Sequence, residues 1–361
     1  MGAPRASYCI SLPALGLFVT VTGILTPSSS AKPPKPVFKS KKPSISPAPA
    51  TNHVTPSFKM TDAAAKPVAD VAPSPAPPAP TPSVEVIPES DKKVALRVIN
   101  YYRQLAHLDN ISWSDAISMG AYHHSRYRTA NPGQKESPHH ETPGLPEFTG
   151  AEFWDRVKAS GYPGFAFGEG MSMQVVESPD PAKVVTSLID GPYHRMPFLA
   201  NGPIAVGIGK YQKIWTFDFA GKTAPVSMWP APDATDVPLL GNTKDSPDPM
   251  RIHGVSGDGA GYVITVLFNQ MRFHFDEATL TDANGGTVKC YINHPQNDPF
   301  CTTSVIIIPA AKLSPNTKYA CHIAITSAKG VKTVKDWIFT TGDDTHNFDA
   351  ALKSGKALAG D

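Results

Sequence analysis

Three side chains stand out for the chemistry they could share: His140, Glu169 and His194. His140 precedes Glu141 in a loop rich in histidine and proline, SPHHETPGLPEFTG. Glu169 sits between two glycines, and His194 occupies a Gly-Pro-Tyr-His-Arg turn. Two imidazoles and a carboxylate are the donor types of an open zinc site. A bound divalent metal lowers the pKa of its water toward neutrality, and Glu169 is then the candidate general base. The plainer alternative is that Glu169 bridges the two histidines and ties loops together without metal. His124 falls on an apolar helix face and reads as a satisfied core histidine. His123 and His139 read as exposed neighbours. Gly-x-Ser-x-Gly, His-Glu-x-x-His and phosphate-loop motifs are absent from the sequence.

Residues far apart in sequence meet only if the elements between them bring them together. Val94, Val98, Tyr102 and Leu105 recur at helical spacing from about Ser90. Ser112 with Asp115 predicts a capped start for a second helix with Trp113, Ile117, Ala121 and His124 on its inner face. Thr149 with Glu152 predicts a short third helix, stopped at Gly161. Phe165–Val176 reads as a strand carrying Glu169. Asp180-Pro181 opens another helix, with Val184, Val185, Leu188 and Ile189 facing inward. Ala205–Gly209 and Ile214–Ala220 read as a strand pair that receives the His194 turn. Helices around paired strands predict a three-layer α+β domain over 91–220.

The flanking composition is different. Arg5 before the apolar run Ile10–Leu25 and the small residues Ser29 and Ala31 predict a signal peptide, 1–31, cleaved after Ala31. That run is shorter than the roughly 20 residues of a membrane span, so no transmembrane span is expected in the mature chain. Residues 32–90 are rich in Pro, Ala, Lys and Ser and read as a disordered linker, basic at its start. The chain has 361 residues and 38 prolines, and its formal net charge of +2 gives no argument for a nucleic-acid partner. A second Pro-rich stretch, 221–250, reads as a linker. Alternating apolar residues and the Asn284-Gly285-Gly286 turn predict an all-β sandwich of immunoglobulin type over 251–341, and 342–361 reads as a flexible tail. Cys9 leaves with the signal. Cys290 and Cys301 would close a short loop as a disulfide, with Cys321 open as partner to either.

The chain also resembles a known family. Asn100-Tyr101-Tyr102-Arg103, Ile111-Ser112-Trp113, the loop histidine at 140, Phe153-Trp154-Asp155-Arg156 through Gly161-Tyr162, Gly168-Glu169-Gly170, Pro192-Tyr193-His194-Arg195 and Trp215-Thr216-x-Asp218-Phe219 follow one another in the family's order. This pattern is similar to the CAP superfamily, named for cysteine-rich secretory proteins, antigen 5 and pathogenesis-related 1 proteins, in its cysteine-poor bacterial branch. The resemblance implies an α-β-α sandwich with a cleft lined by two histidines and two acids. His140, Glu169 and His194 correspond to three of these. The fourth, a glutamate before the last histidine, is absent; Asp190 is the nearest acid. Gly170 replaces the family's asparagine. Residues 225–341 are similar to bacterial Ig-like domains, on the Leu313–Tyr319 turn and the Trp337–Thr341 ending. The implied function is a binding module, secreted, periplasmic or on the cell surface, with an envelope protein or lipid as partner and a weakly held divalent cation such as zinc. The alternatives are a metal-assisted hydrolase of an envelope polymer or peptide, and a lipid-binding or purely structural surface protein.

Overall fold

The computed structural model describes residues 7–11 and 87–353, apart from 223–225 and 269–271. Most of the expected signal and linker lie outside these residues. The strand β1 (Ser7–Ser11), inside the expected signal, pairs antiparallel with β3 (Ala166–Met173).

The first module is built on one sheet in the order β1-β3-β5-β4-β2, with β5 Ile214–Gly221, β4 Pro203–Tyr211 and β2 Ser112–Trp113. Side chains alternate across a strand, and this alternation separates the two faces chemically. Trp215, Phe217 and Phe219 of β5, with Val206 and Ile208 of β4, join one core with α1 (Glu89–Leu105) and α4 (Pro181–Asp190). Thr216, Asp218 and Ala220 alternate with them. Ala220 packs with Ile117, Phe153 and Val157, from α2 (Asp115–Ala130) and α3 (Phe153–Ala159). One face is therefore aromatic and the other small and polar.

The polar face lets α2 come close. A Cβ on Gly209 would lie 1.9 Å from the Tyr122 backbone nitrogen, so only glycine fits there. Ser125 fastens the contact, donating to the Gly209 carbonyl at 3.0 Å beside Thr216.

The helix starts differ from the sequence reading by one short step each. Ser112 and Trp113 are drawn into the sheet opposite Ala205 and Val206. Ser114 therefore caps α2, its hydroxyl accepting from the Ile117 N–H at 3.3 Å. Likewise Glu152, not Thr149, caps α3, in a reciprocal box with Asp155. Replacing Ser114 by alanine is expected to cost about 1 kcal/mol, read as a lower urea midpoint with unchanged slope.

The second module is a β-sandwich of two four-stranded sheets. One contains β6 (Ser227–Trp229), β8 (Ile264–Leu267), β10 (Cys290–Asn293) and β11 (Ser304–Pro309). The other contains β7 (Ala234–Val237), β9 (Phe273–Thr281), β12 (Lys318–Ser327) and β13 (Lys332–Thr341). Within the stretch read as a linker, 221–250, β6 and β7 are edge strands of the sandwich, and the described prolines lie outside both strands.

Two further expectations change. Cys290, Cys301 and Cys321 are all free thiols, so the Cys290–Cys301 bridge is not formed. The Cys301 sulfur instead lies 3.6 Å from the Asp298 carboxylate. The tail begins with a docked helix, α6 (Phe348–Lys353). Phe348 is buried against Tyr102, Trp229 and Tyr262, and the Tyr102 hydroxyl donates to Asp349 at 2.9 Å.

Candidate functional site

Glu169 on β3 lies directly opposite Asp218 on β5, both fully buried. Above them α3 delivers Arg156, which follows Phe153 by three positions and so shares its inward face. Arg156 donates to Glu169 Oε2 at 2.5 Å and to the His139 carbonyl at 3.1 Å. His139 in turn places Nδ1 2.7 Å from Glu169 Oε1. An ionised carboxylate can only accept, so Nδ1 carries the proton. The other ring nitrogen, Nε2, holds the lone pair; it is buried and has no hydrogen-bond partner.

Electrostatics follow from this arrangement. Burial works against the Glu169 charge, but Arg156, His124 and His139 outweigh it and hold the carboxyl well below the usual range. Burial and the neighbouring Glu169 push Asp218 the other way, well above it. Burial also draws His139 below the ordinary imidazole value, which favours the neutral ring.

The second imidazole arrives from the other side. His194 immediately precedes the short helix α5 (Arg195–Leu199). Its Nδ1 meets the carboxylate of Asp245, from the loop between β7 and β8. By the same logic its neutral form keeps the lone pair on Nε2. A positive charge on His194 lowers the His139 value further.

Of the residues singled out from the sequence, Glu169 and His194 belong to this buried group and His140 does not. His140 is half-buried with its nitrogens 3.2 Å from Glu152 and 3.3 Å from Glu136. The adjacent His139, read as exposed, takes its place; a loop has no periodicity that tells one neighbour from the other. His124 is a core histidine whose ring nitrogens lie 2.8 Å from Glu141 and 2.9 Å from the Pro138 carbonyl, both acceptors, so the neutral ring donates to one of them. Glu141 is consumed holding that ring and the Thr149 N–H. Glu169 is poorly suited to act as a base: its oxygens face His139 and Arg156, and its basicity is depressed.

Arg156, Asp218 and Asp245 complete this group and lie outside the candidates that residue spacing offers. Asp218 had a signal, a lone acid in the apolar run IWTFDFAG. Arg156 had a weaker one, a cation on an apolar helix stripe. Asp245 lies in DSPDP, which carries no signal for a partner fifty residues away. Gly170 stands where the resembled family has asparagine because Phe198 covers it: a Cβ there would lie 2.9 Å from that ring.

The first module is an α-β-α sandwich with two buried histidines, each held by a carboxylate. Residues 96–214 match the model of the Cysteine-rich secretory protein family, CAP, and this third of the chain is a CAP domain. No curated protein matches the chain. Among solved structures, an extracellular protein containing an SCP domain from Bacillus anthracis str. Ames is similar at 21% identity over 39% of this chain, with a TM-score of 0.30. This chain spans 45% of that protein's length. CopC from Methylosinus trichosporium OB3b shares 10% identity over 32% of this chain and 88% of its own, TM-score 0.21. The copper resistance protein PcoC from Escherichia coli shares 16% over 33% and 98%, TM-score 0.21. Likeness at this level bears on neither ligand nor activity. Among the described residues no helix is long and apolar enough to cross a membrane.

Proposed function

We propose that the chain is an exported binding protein whose CAP domain takes a divalent cation of zinc type between His139 and His194. The observation that carries this reading is the His139 ring: Nδ1–H is committed to Glu169, and Nε2 is buried with no hydrogen-bond partner. A metal-ligating histidine typically donates its second nitrogen to a carboxylate, which fixes the tautomer and raises ligand basicity. Glu169 and Asp245 stand in that relation to His139 and His194. A metal here would supply Lewis acidity and an anchoring charge for a ligand's own donor. The site is thin, since among the described residues no three His, Cys, Asp or Glu side chains group as metal ligands. Binding is therefore weak, with the remaining positions left to water or ligand. The signal-like N-terminus and the secretory character of the family support export.

Calorimetric titration of zinc into the full chain at pH 7.5 tests the reading. Wild type should release heat, His139→Ala should lose most of it, and His140→Ala should keep it. Affinity should fall below about pH 6 as imidazoles protonate. A silent wild type, or loss in His140→Ala with none in His139→Ala, would end the proposal.

A further inference from the structure

The His194 turn is not held by the CAP domain alone. All three side chains of Tyr193-His194-Arg195 reach into the second module. The Tyr193 hydroxyl donates to Asp298 and accepts from Arg251 at 2.8 Å. Arg195 donates to the Val263 carbonyl at 2.7 Å and lies over the Tyr262 ring at 5.7 Å. Between them, His194 meets Asp245. We infer that Asp245 is a positioning residue for the CAP cleft, supplied by the sandwich, and that it fixes His194 in the tautomer whose Nε2 can accept a cation.

Three observations carry this beyond a surface ion pair. Asp245 is buried, and its carboxylate is itself oriented, taking the Tyr193 N–H at 2.8 Å and the Ser246 N–H at 2.9 Å. An acceptor locked in this way leaves one orientation for the ring that donates to it. Second, the turn makes room for it: a Cβ on Gly191 would lie 2.9 Å from both Asp245 oxygens. Third, the carboxylate that meets His194 comes from the sandwich and not from the CAP segment. The charge of the nearest acid in sequence, Asp190, acts on Tyr102 and Tyr262, and Glu169 is occupied by His139 and Arg156. The acid that the CAP pattern lacks before its last histidine is thus provided from 51 residues downstream. The sandwich completes the site; it is more than a spacer.

The consequence for cation affinity rests on the function proposed above; the tautomer assignment does not. Histidine-selective 15N spectra of the full chain, with the His194 signals assigned by His194→Gln, read the tautomer directly. Spectra are recorded at a pH where the ring is neutral. Wild type should show Nδ1 protonated. Asp245→Ala should shift His194 toward the Nε2–H form and weaken zinc binding about 10–100-fold, the usual cost of removing such an outer partner. Asp298→Ala, which loosens the same interface without touching His194, should lower stability but leave the tautomer unchanged and the zinc affinity within about twofold. An Nε2–H tautomer in wild type overturns the inference without any variant. So does an unchanged tautomer in folded Asp245→Ala, or an equal shift in Asp298→Ala. If wild type binds no zinc, the cation reading falls while the spectra still decide the role of Asp245.

Discussion

Arg156→Met is expected to destabilise the chain by about 3–5 kcal/mol, the cost of breaking a buried pair from one side. The guanidinium is fully buried and donates to Glu169 at 2.5 Å and to the carbonyls of Gly150 and His139 at 3.2 and 3.1 Å. It also lies 3.8 Å from Glu141. Its removal leaves two buried carboxylates without their shared cation, and an orphaned buried charge costs more than a lost hydrogen bond. Methionine fills similar volume, so packing loss is a minor part of the effect. Arg156→Lys should fall between, because a point charge cannot reach carboxylate and carbonyls with one planar fork. Urea unfolding followed by circular dichroism measures this. Adding Glu169→Gln to Arg156→Met should recover part of the loss, since the stranded charge is then gone. A single variant within about 1 kcal/mol of wild type would show that the cluster is not held together by this cation.

The same cluster marks how far the sequence could be read. The three layers were legible because each rested on periodicity: Val98 and Tyr102 on α1, Val184 and Leu188 on α4, and short apolar strands for β4 and β5. Those residues are buried as the patterns require. The order of the CAP motifs singled out Glu169 and the His194 turn, but the partners of each, His139 with Arg156 and Asp245, were not in it. What was not legible lay where tertiary contacts choose between adjacent residues or distant ones. His139 and His140 have equal claims in a loop, and the His139 ring turns inward onto Glu169 while Arg156 holds its carbonyl. Asp245 sits among prolines that imply a linker, yet Pro249 opens a short 3-10 turn, Pro249–Ile252, whose Pro249 and Met250 are buried. Phe348 lies in a polar tail, and its burial depends on an aromatic pocket made by Tyr102, Trp229 and Tyr262 from other elements. Composition reports the average of a segment, while docking depends on one or two side chains within it.

Asp218→Asn is expected to stabilise the protein at pH 8 by about 1–3 kcal/mol, the scale of a native group that must keep a proton its unfolded form has released. Asp218 is fully buried, and neither of its oxygens has a donor. Its cross-strand neighbour is Glu169, also an acceptor. Two carboxylates at this separation do not both ionise. Glu169, next to Arg156, keeps the charge, and a proton on Asp218 supplies the donor the pair lacks. The folded-state pKa of Asp218 is therefore raised by burial and by Glu169, above an unfolded value near 3.9. The sign follows from linkage. Below that unfolded value both states hold the proton and the contact is fully present. As pH rises, the unfolded chain releases its proton while the native one must keep it, so the wild type loses stability progressively up to the folded pKa. Asparagine offers a permanent N–H donor in place of the retained proton and has no such dependence. The two proteins should thus be close in stability at pH 4 and separate as pH increases, with the variant the more stable. Urea midpoints for both, taken from pH 4 to 9 with chelator present, read the difference directly and cancel the titration of all other groups. A gap that stays constant across that range, or a variant less stable at pH 8, would mean that Asp218 is ionised in the native protein and that some other group meets its charge.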